Sequence, residues 1–356
     1  MKCDKCNTEL PEEANFCFKC GFPVGKIKVF RSCSECGNAL SAVDKFCSKC
    51  GVPVRVIKEG AEAADIEGSA QPRVQLGKSP KMILIPGGQF VMGGGTMNSL
   101  ITLVGFYMSE VPVTQLQYSY VMGKNPSKLQ GENRPVECVN WCEAILYCNM
   151  LSKLNGLTPC YSIGTTTDLS GFEATSPVWK RVVCNFLANG YRLPTEAEWE
   201  FAARDGRGSS PNPYAGSTNI NAVAWYGENS GITTHDVATK DPNGLNLYDM
   251  CGNVAEWCWD YYAPNLASGA QTNPHGPSSG EMHVKRGGSW LDDAQQCTVF
   301  YRSGSAPNGK SSNLGFRVCC SAVSEHYKID CHVATLLAMT SLRAAGEAIH
   351  MEGIKL

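Results

Sequence analysis

The chain has 356 residues, 43% of them hydrophobic and 18% charged, with a formal net charge of −2. That length allows two or three domains and a real core. The near-neutral balance excludes an overall field that gathers nucleic acid or an anionic membrane, and no apolar run reaches the ~18 residues of a membrane span.

The first fifty residues carry four C-x-x-C pairs. Cys3 and Cys6 are followed by Cys17 and Cys20, and the unit repeats thirty residues later as Cys33 and Cys36 with Cys47 and Cys50. Phe16 and Phe46 precede the third cysteine of each unit, and Gly21 and Gly51 follow the fourth. Two tight turns that each offer two thiolates make a closed tetrahedral site suited to Zn²⁺. Each unit is too short to bury a useful core, so the metal supplies much of its folding free energy. The segment resembles a double zinc ribbon, with one ribbon at 1–24 and the second at 25–54. Four thiolates per site leave no open position, so both zincs are expected to be structural. Such spacing belongs to a reducing compartment, and Met1-Lys2-Cys3-Asp4 is polar, unlike a signal peptide; a cytoplasmic location is expected. The ribbons suit protein docking. A nucleic-acid partner is open but unsupported, because Lys and Arg are not clustered.

Residues 55–80 are small, charged and aperiodic, and are expected to be a flexible linker. From Met82 to Gly93 the chain reads as strand, turn, strand. Gly93-Gly94-Gly95 lacks the Lys-Ser/Thr ending of a phosphate loop. Three capping signatures then predict helices. Thr114 with Gln117 opens one that stops near Gly123. Asn140 with Glu143 opens a longer one carrying Trp141, Ile145, Cys148 and Leu151. Thr195 with Glu198 opens a third, with Trp199, Ala202 and Ala203 on one side. Cys142 and Cys148 are expected to pack as small hydrophobes.

The later motifs occur in a fixed order. Asn125-Pro126-Ser127 precedes Arg134-Pro135-Val136 and Asn140-Trp141. Gly190 to Glu200 reads GYRLPTEAEWE, and Asn246 to Trp257 reads NLYDMCGNVAEW. Arg286-Gly287-Gly288-Ser289-Trp290 leads to Cys297 and then to Asn313-Leu314-Gly315-Phe316-Arg317. Over about residues 82–320 this resembles the sulfatase-modifying-factor family, the formylglycine-generating enzymes. The resemblance implies an α+β, C-type-lectin-like fold with much irregular structure over residues 81–321. Residues 322–356 lie beyond the family frame and are expected to be a poorly ordered extension.

The resemblance also implies chemistry. Family members hold copper with two cysteines of this stretch and oxidise a sulfatase cysteine to formylglycine. Cys297 falls at the second of those positions, while Asp292 stands at the first. Copper(I) prefers thiolates, so Asp292 is a poor replacement and Cys297 is expected to be a vestigial thiol. Ala255 departs from the aromatic residue common in relatives, which weakens the case for a peptide-substrate groove. The family's calcium loop matches Asp249 and Glu256 as carboxylate ligands, with the carbonyls of Gly252 and Val254; the alternative is that both carboxylates satisfy a tight turn. His235, His275, His283, His326, His332 and His350 form no paired helical ligand set. Arg192, Arg286, Arg302 and Arg317 are expected to pair within the fold. The leading expectation is an inactive relative that binds a protein or peptide ligand; a minor variant is a loop-displaying relative with residues 290–312 as the display surface. The alternatives are a copper-dependent oxidase and an adaptor working through its zinc ribbons.

Overall fold

The computed structural model describes residues 77–94, 97–206 and 212–322. These belong to the second of two compact units into which the chain divides, beginning at Pro72. The ribbon cysteines, the linker to residue 76 and the tail from residue 323 lie outside the described residues.

The three capped helices form where their caps stand. In α1 (Gln115–Met122) the Thr114 hydroxyl accepts from the Gln117 N–H and the Gln117 side chain accepts from the Thr114 N–H. Gly123 ends the helix at φ 70°, a left-handed C-cap that glycine adopts without a Cβ penalty. The same reciprocal box opens α2 (Trp141–Leu154) at Asn140 and α3 (Glu196–Ala203) at Thr195. All eight residues of α3 are buried, so this helix is covered all round rather than on one side. A fourth short helix, α4 (Ile220–Val223), is capped by Asn219.

The strands are short and collect into mixed sheets. One sheet orders Met82–Ile85, Phe106–Ser109, Cys319–Ser321 and Tyr191–Arg192. The last described strand thus lies between two much earlier ones, pairing Cys319 with both Met108 and Arg192. A second sheet orders Ser303–Ser305, His283–Arg286, Ala255–Tyr261 and Leu314–Gly315. A third orders Gln271–Thr272, Met97–Leu103 and Gly88–Gly94. The expected opening strands therefore form but enter different sheets. Gly87 lets the chain turn between them: a Cβ there would lie 2.6 Å from the Leu103 carbonyl oxygen.

Two apolar cores result. The first joins α1 and α2 to Trp257 and Phe316, and it contains Cys142 and Cys148. The second joins α3 to Phe90, Phe106, Met250, Cys258 and Cys297. The strand Ala255–Tyr261 is the wall between them. Its period-two alternation sends Ala255 and Trp257 to the first core and Cys258 to the second. Among the described residues no helix is long and apolar enough to cross a membrane.

Candidate functional site

The turn after the strand His283–Arg286 brings Asp292 and Cys297 to one place, and both are already committed. Gly288 has φ 66°, and a Cβ on it would lie 2.6 Å from the Cys297 Sγ. The glycine pair therefore lets the backbone close over the thiol. Cys297 is fully buried. Burial, with Cys251 and Asp292 nearby, pushes its thiol well above the usual range, so it remains protonated and unreactive. The Ser289 hydroxyl donates to the Asp292 carboxylate and accepts from the Asn313 amide at 3.1 Å. The Asp292 backbone is pinned as well: Gly227 N–H donates to its carbonyl at 2.9 Å, and its own N–H donates to the Ser289 carbonyl at 3.1 Å. One enclosed thiol and one hydrogen-bonded carboxylate do not match copper(I), which needs accessible soft ligands. The donor set does not fit that metal.

The loop matched to calcium is built as a hydrogen-bonded turn. Asp249 accepts from the Ala238 N–H at 2.8 Å and from the Asn253 amide at 3.2 Å. Burial pushes its carboxyl up to about 6. Glu256, fully buried, accepts from Arg317 Nε at 2.7 Å and Nη2 at 2.9 Å, and from the Trp199 indole at 2.7 Å. A guanidinium therefore takes up both carboxylate oxygens of Glu256. Gly252, at φ 72°, presses on the Trp225 carbonyl, and Val254 is core. Among the described residues no group of three or more His, Cys, Asp or Glu side chains is arranged to hold a metal ion. The Asp249 and Glu256 carboxylates thus answer internal donors, the alternative that the sequence left open beside calcium.

The four motif arginines are internal partners, as expected. Arg192 forks onto Glu198 with two 2.7 Å bonds. Arg286 bonds Glu200, Arg302 grips Glu196, and Arg317 grips Glu256. The stretch Thr195 to Glu200 is thus a row of arginine acceptors along α3. The described histidines serve as flat packing surfaces. His235 stacks on Trp225 with ring centres 3.8 Å apart, and His275 stacks on Phe186 at 3.7 Å. His283 lies between Trp141 at 3.7 Å and Tyr261 at 4.3 Å. Ala255 is buried and pairs with Leu314, so its small side chain belongs to the wall between the cores.

Residues 290–312 combine buried anchors with outward side chains. Trp290, Cys297 and Val299 are buried, while Leu291 is 60% exposed and Phe300 38% exposed. Asp293, Gln295, Asn308 and Lys310 also face outward. The neighbouring loop is tied on by the Ser230 hydroxyl, which donates to the Trp290 carbonyl at 2.8 Å. At its tip Ile232 has φ 63° and is 79% exposed. A β-branched residue in that conformation is strained and is often held for a purpose. The sequence reading missed Ile232; the glycine before it was the only signal.

Residues 67–322 match the sulfatase-modifying factor enzyme 1-like domain. The chain belongs to the sulfatase-modifying factor family. Residues 3–51 match the double zinc ribbon. A family relative named chaperone protein LppX, from Paenibacillus barcinonensis, is 36% identical over 67% of this chain and 89% of its own length. A formylglycine-generating enzyme from Streptomyces coelicolor is 30% identical over 72% of this chain and 93% of its own length. The solved structure of Treponema denticola variable protein 1 is similar at a TM-score of 0.63 and 36% identity, covering 67% of this chain and 94% of that one.

Proposed function

We propose that the family domain of this chain binds a protein or peptide ligand and no longer oxidises cysteine. One observation carries the reading. Asp292, at the first copper position of the family, has its carboxylate bound by Ser289, while Cys297 is enclosed behind Gly288. The ligand-binding face is the segment 290–312, with Leu291 and Phe300 outward over buried anchors. A relative named as a chaperone and a similar structure described as a variable protein agree with binding rather than catalysis. The amino-terminal cysteines hold two structural zincs and form a docking module, in a cytoplasmic protein. The C-type-lectin-like architecture implied by the resemblance is part of the same proposal.

The test is a Cu(I) titration of the full chain beside an aldehyde assay on a Cys-x-Pro-x-Arg peptide under oxygen. The expected result is neither tight stoichiometric copper binding nor aldehyde product. Either one from the unaltered chain would overturn the proposal. An Asp292→Cys variant run in parallel asks whether a second thiol alone restores the family chemistry.

A further inference from the structure

A second site lies away from the Asp292 turn. A cavity of about 340 Å³ opens between α3, the strand Met97–Leu103 and the loop 263–277. That volume falls within the range of small-molecule sites. The loop over it is fastened, so the cavity is preformed. Gln271–Thr272 pairs with Ile101–Thr102, Ser99 donates to the Gly269 carbonyl at 3.0 Å, and Val104 N–H donates to the Asn273 side chain at 2.9 Å. Ile101, Leu266 and Pro274 supply apolar lining; Glu196, Asp260 and Arg302 supply the ionisable groups.

The ionisable groups are not equivalent. Arg302 spends Nε and Nη2 on Glu196 and Nη1 on the carbonyls of Ala263 and Pro264. Glu196 also faces Arg286 Nε at 3.2 Å. Asp260 is only 4% exposed and accepts from the Glu196 N–H at 2.9 Å. No lysine, arginine or histidine among the described residues forms an ion pair with it, unlike each glutamate of α3. Burial, then the neighbouring Glu196, hold its carboxyl well above the usual carboxylate range. A buried carboxyl without a cation, in the wall of a preformed apolar cavity, is biased toward its neutral form, and a positive partner there would let it ionise. Anions find little here, because the Arg302 donors are largely occupied.

We propose that this cavity binds a small organic amine, with its ammonium group on the Asp260 carboxylate and its short apolar body against Ile101, Leu266 and Pro274. Of the segment 290–312 only Arg302 lines the cavity, and it is committed to Glu196, so the inference does not depend on the outward face at Leu291 and Phe300.

Hexylamine, hexan-1-ol and hexanoate would be titrated into the full chain by calorimetry and ligand-observed NMR. Hexylamine is expected to saturate a single site, and the alcohol and the carboxylate to bind roughly tenfold more weakly or worse. Asp260→Asn keeps an acceptor for the Glu196 N–H and should weaken the amine by about tenfold or more. Leu266→Trp fills the cavity from the half-buried loop and should abolish binding while the thermal transition stays cooperative. Leu291→Asp, on the outer face, should leave amine affinity unchanged. Absence of hexylamine saturation, equal binding of hexan-1-ol, or undiminished amine affinity in Asp260→Asn would each overturn the proposal.

Discussion

At the scale of single residues, Cys297 and His283 show how burial sets chemistry. Cys297 sits against Gly288 in an apolar core, its thiol reaching only the Ser289 carbonyl at 4.0 Å. Cys297→Ser puts a hydroxyl into that space and should cost about 1–3 kcal/mol, read as a lower midpoint in urea unfolding. Native-state alkylation should leave Cys297 unmodified; rapid labelling there would contradict the packing argument. His283 is held between Trp141 and Tyr261 with Nδ1 donating to the Trp259 carbonyl at 2.9 Å. Burial lowers its pKa from 6.5 to about 4, and the backbone bonds to Trp259 and Asp260 only partly oppose that. As pH falls below 6.5 the unfolded chain takes up this proton before the native one does. The native state therefore loses about 3 kcal/mol between pH 6.5 and 4 from this group alone. An NMR titration of the imidazole should place its midpoint near 4, and His283→Gln should flatten that part of the stability profile. A midpoint at 6 or above would refute it.

At the scale of elements, α3 and the strand Ala255–Tyr261 share one device: carboxylates on buried backbone receiving arginines from distant segments. Arg317 meets Glu256 across 61 residues of sequence, and Arg302 meets Glu196 across 106. A buried pair contributes little over an apolar substitute, but breaking it strands a charge. Arg317→Met should therefore cost about 3–5 kcal/mol, whereas adding Glu256→Gln should recover part of the loss. A double-mutant cycle by chemical denaturation measures this, and additive losses would show that the two side chains do not act as a pair. The caps of α1, α2 and α3 were legible in sequence because each box is contained in four residues. The arginines were legible as internal partners, but their glutamates were not, since no local pattern links Arg302 to Glu196. Sheet order was hidden for the same reason. The sequence left calcium and an internal turn both open at Asp249 and Glu256, because a carboxylate pattern that suits a cation also suits a guanidinium and an indole.

At the scale of the whole molecule, the family was readable because its motifs run in order over more than two hundred residues, matching the span 67–322. The proposed ligand face was less readable, because it lies in loops whose exposure depends on tertiary anchoring. Exposed Ile232 and Leu291 lie on two loops that the Ser230–Trp290 hydrogen bond ties together. Elemental analysis of the purified full chain should find two zincs, one for each set of four cysteines, and no calcium. Millimolar calcium should leave the melting temperature unchanged. A zinc-free chain, or a calcium-dependent rise in melting temperature, would count against these assignments.

The strand Cys319–Ser321 occupies the middle of its sheet, between Phe106–Ser109 and Tyr191–Arg192. A ribosome makes that strand last among the described elements. Until it emerges, two neighbouring strands expose open hydrogen-bonding edges, and Glu196 of α3 has already waited 106 residues for Arg302. The domain therefore cannot fold progressively from its front as translation proceeds. It closes late and all at once, through contacts of long sequence separation that slow folding. Until then the nascent chain is expected to leave strand edges and apolar surface open, the condition that favours aggregation.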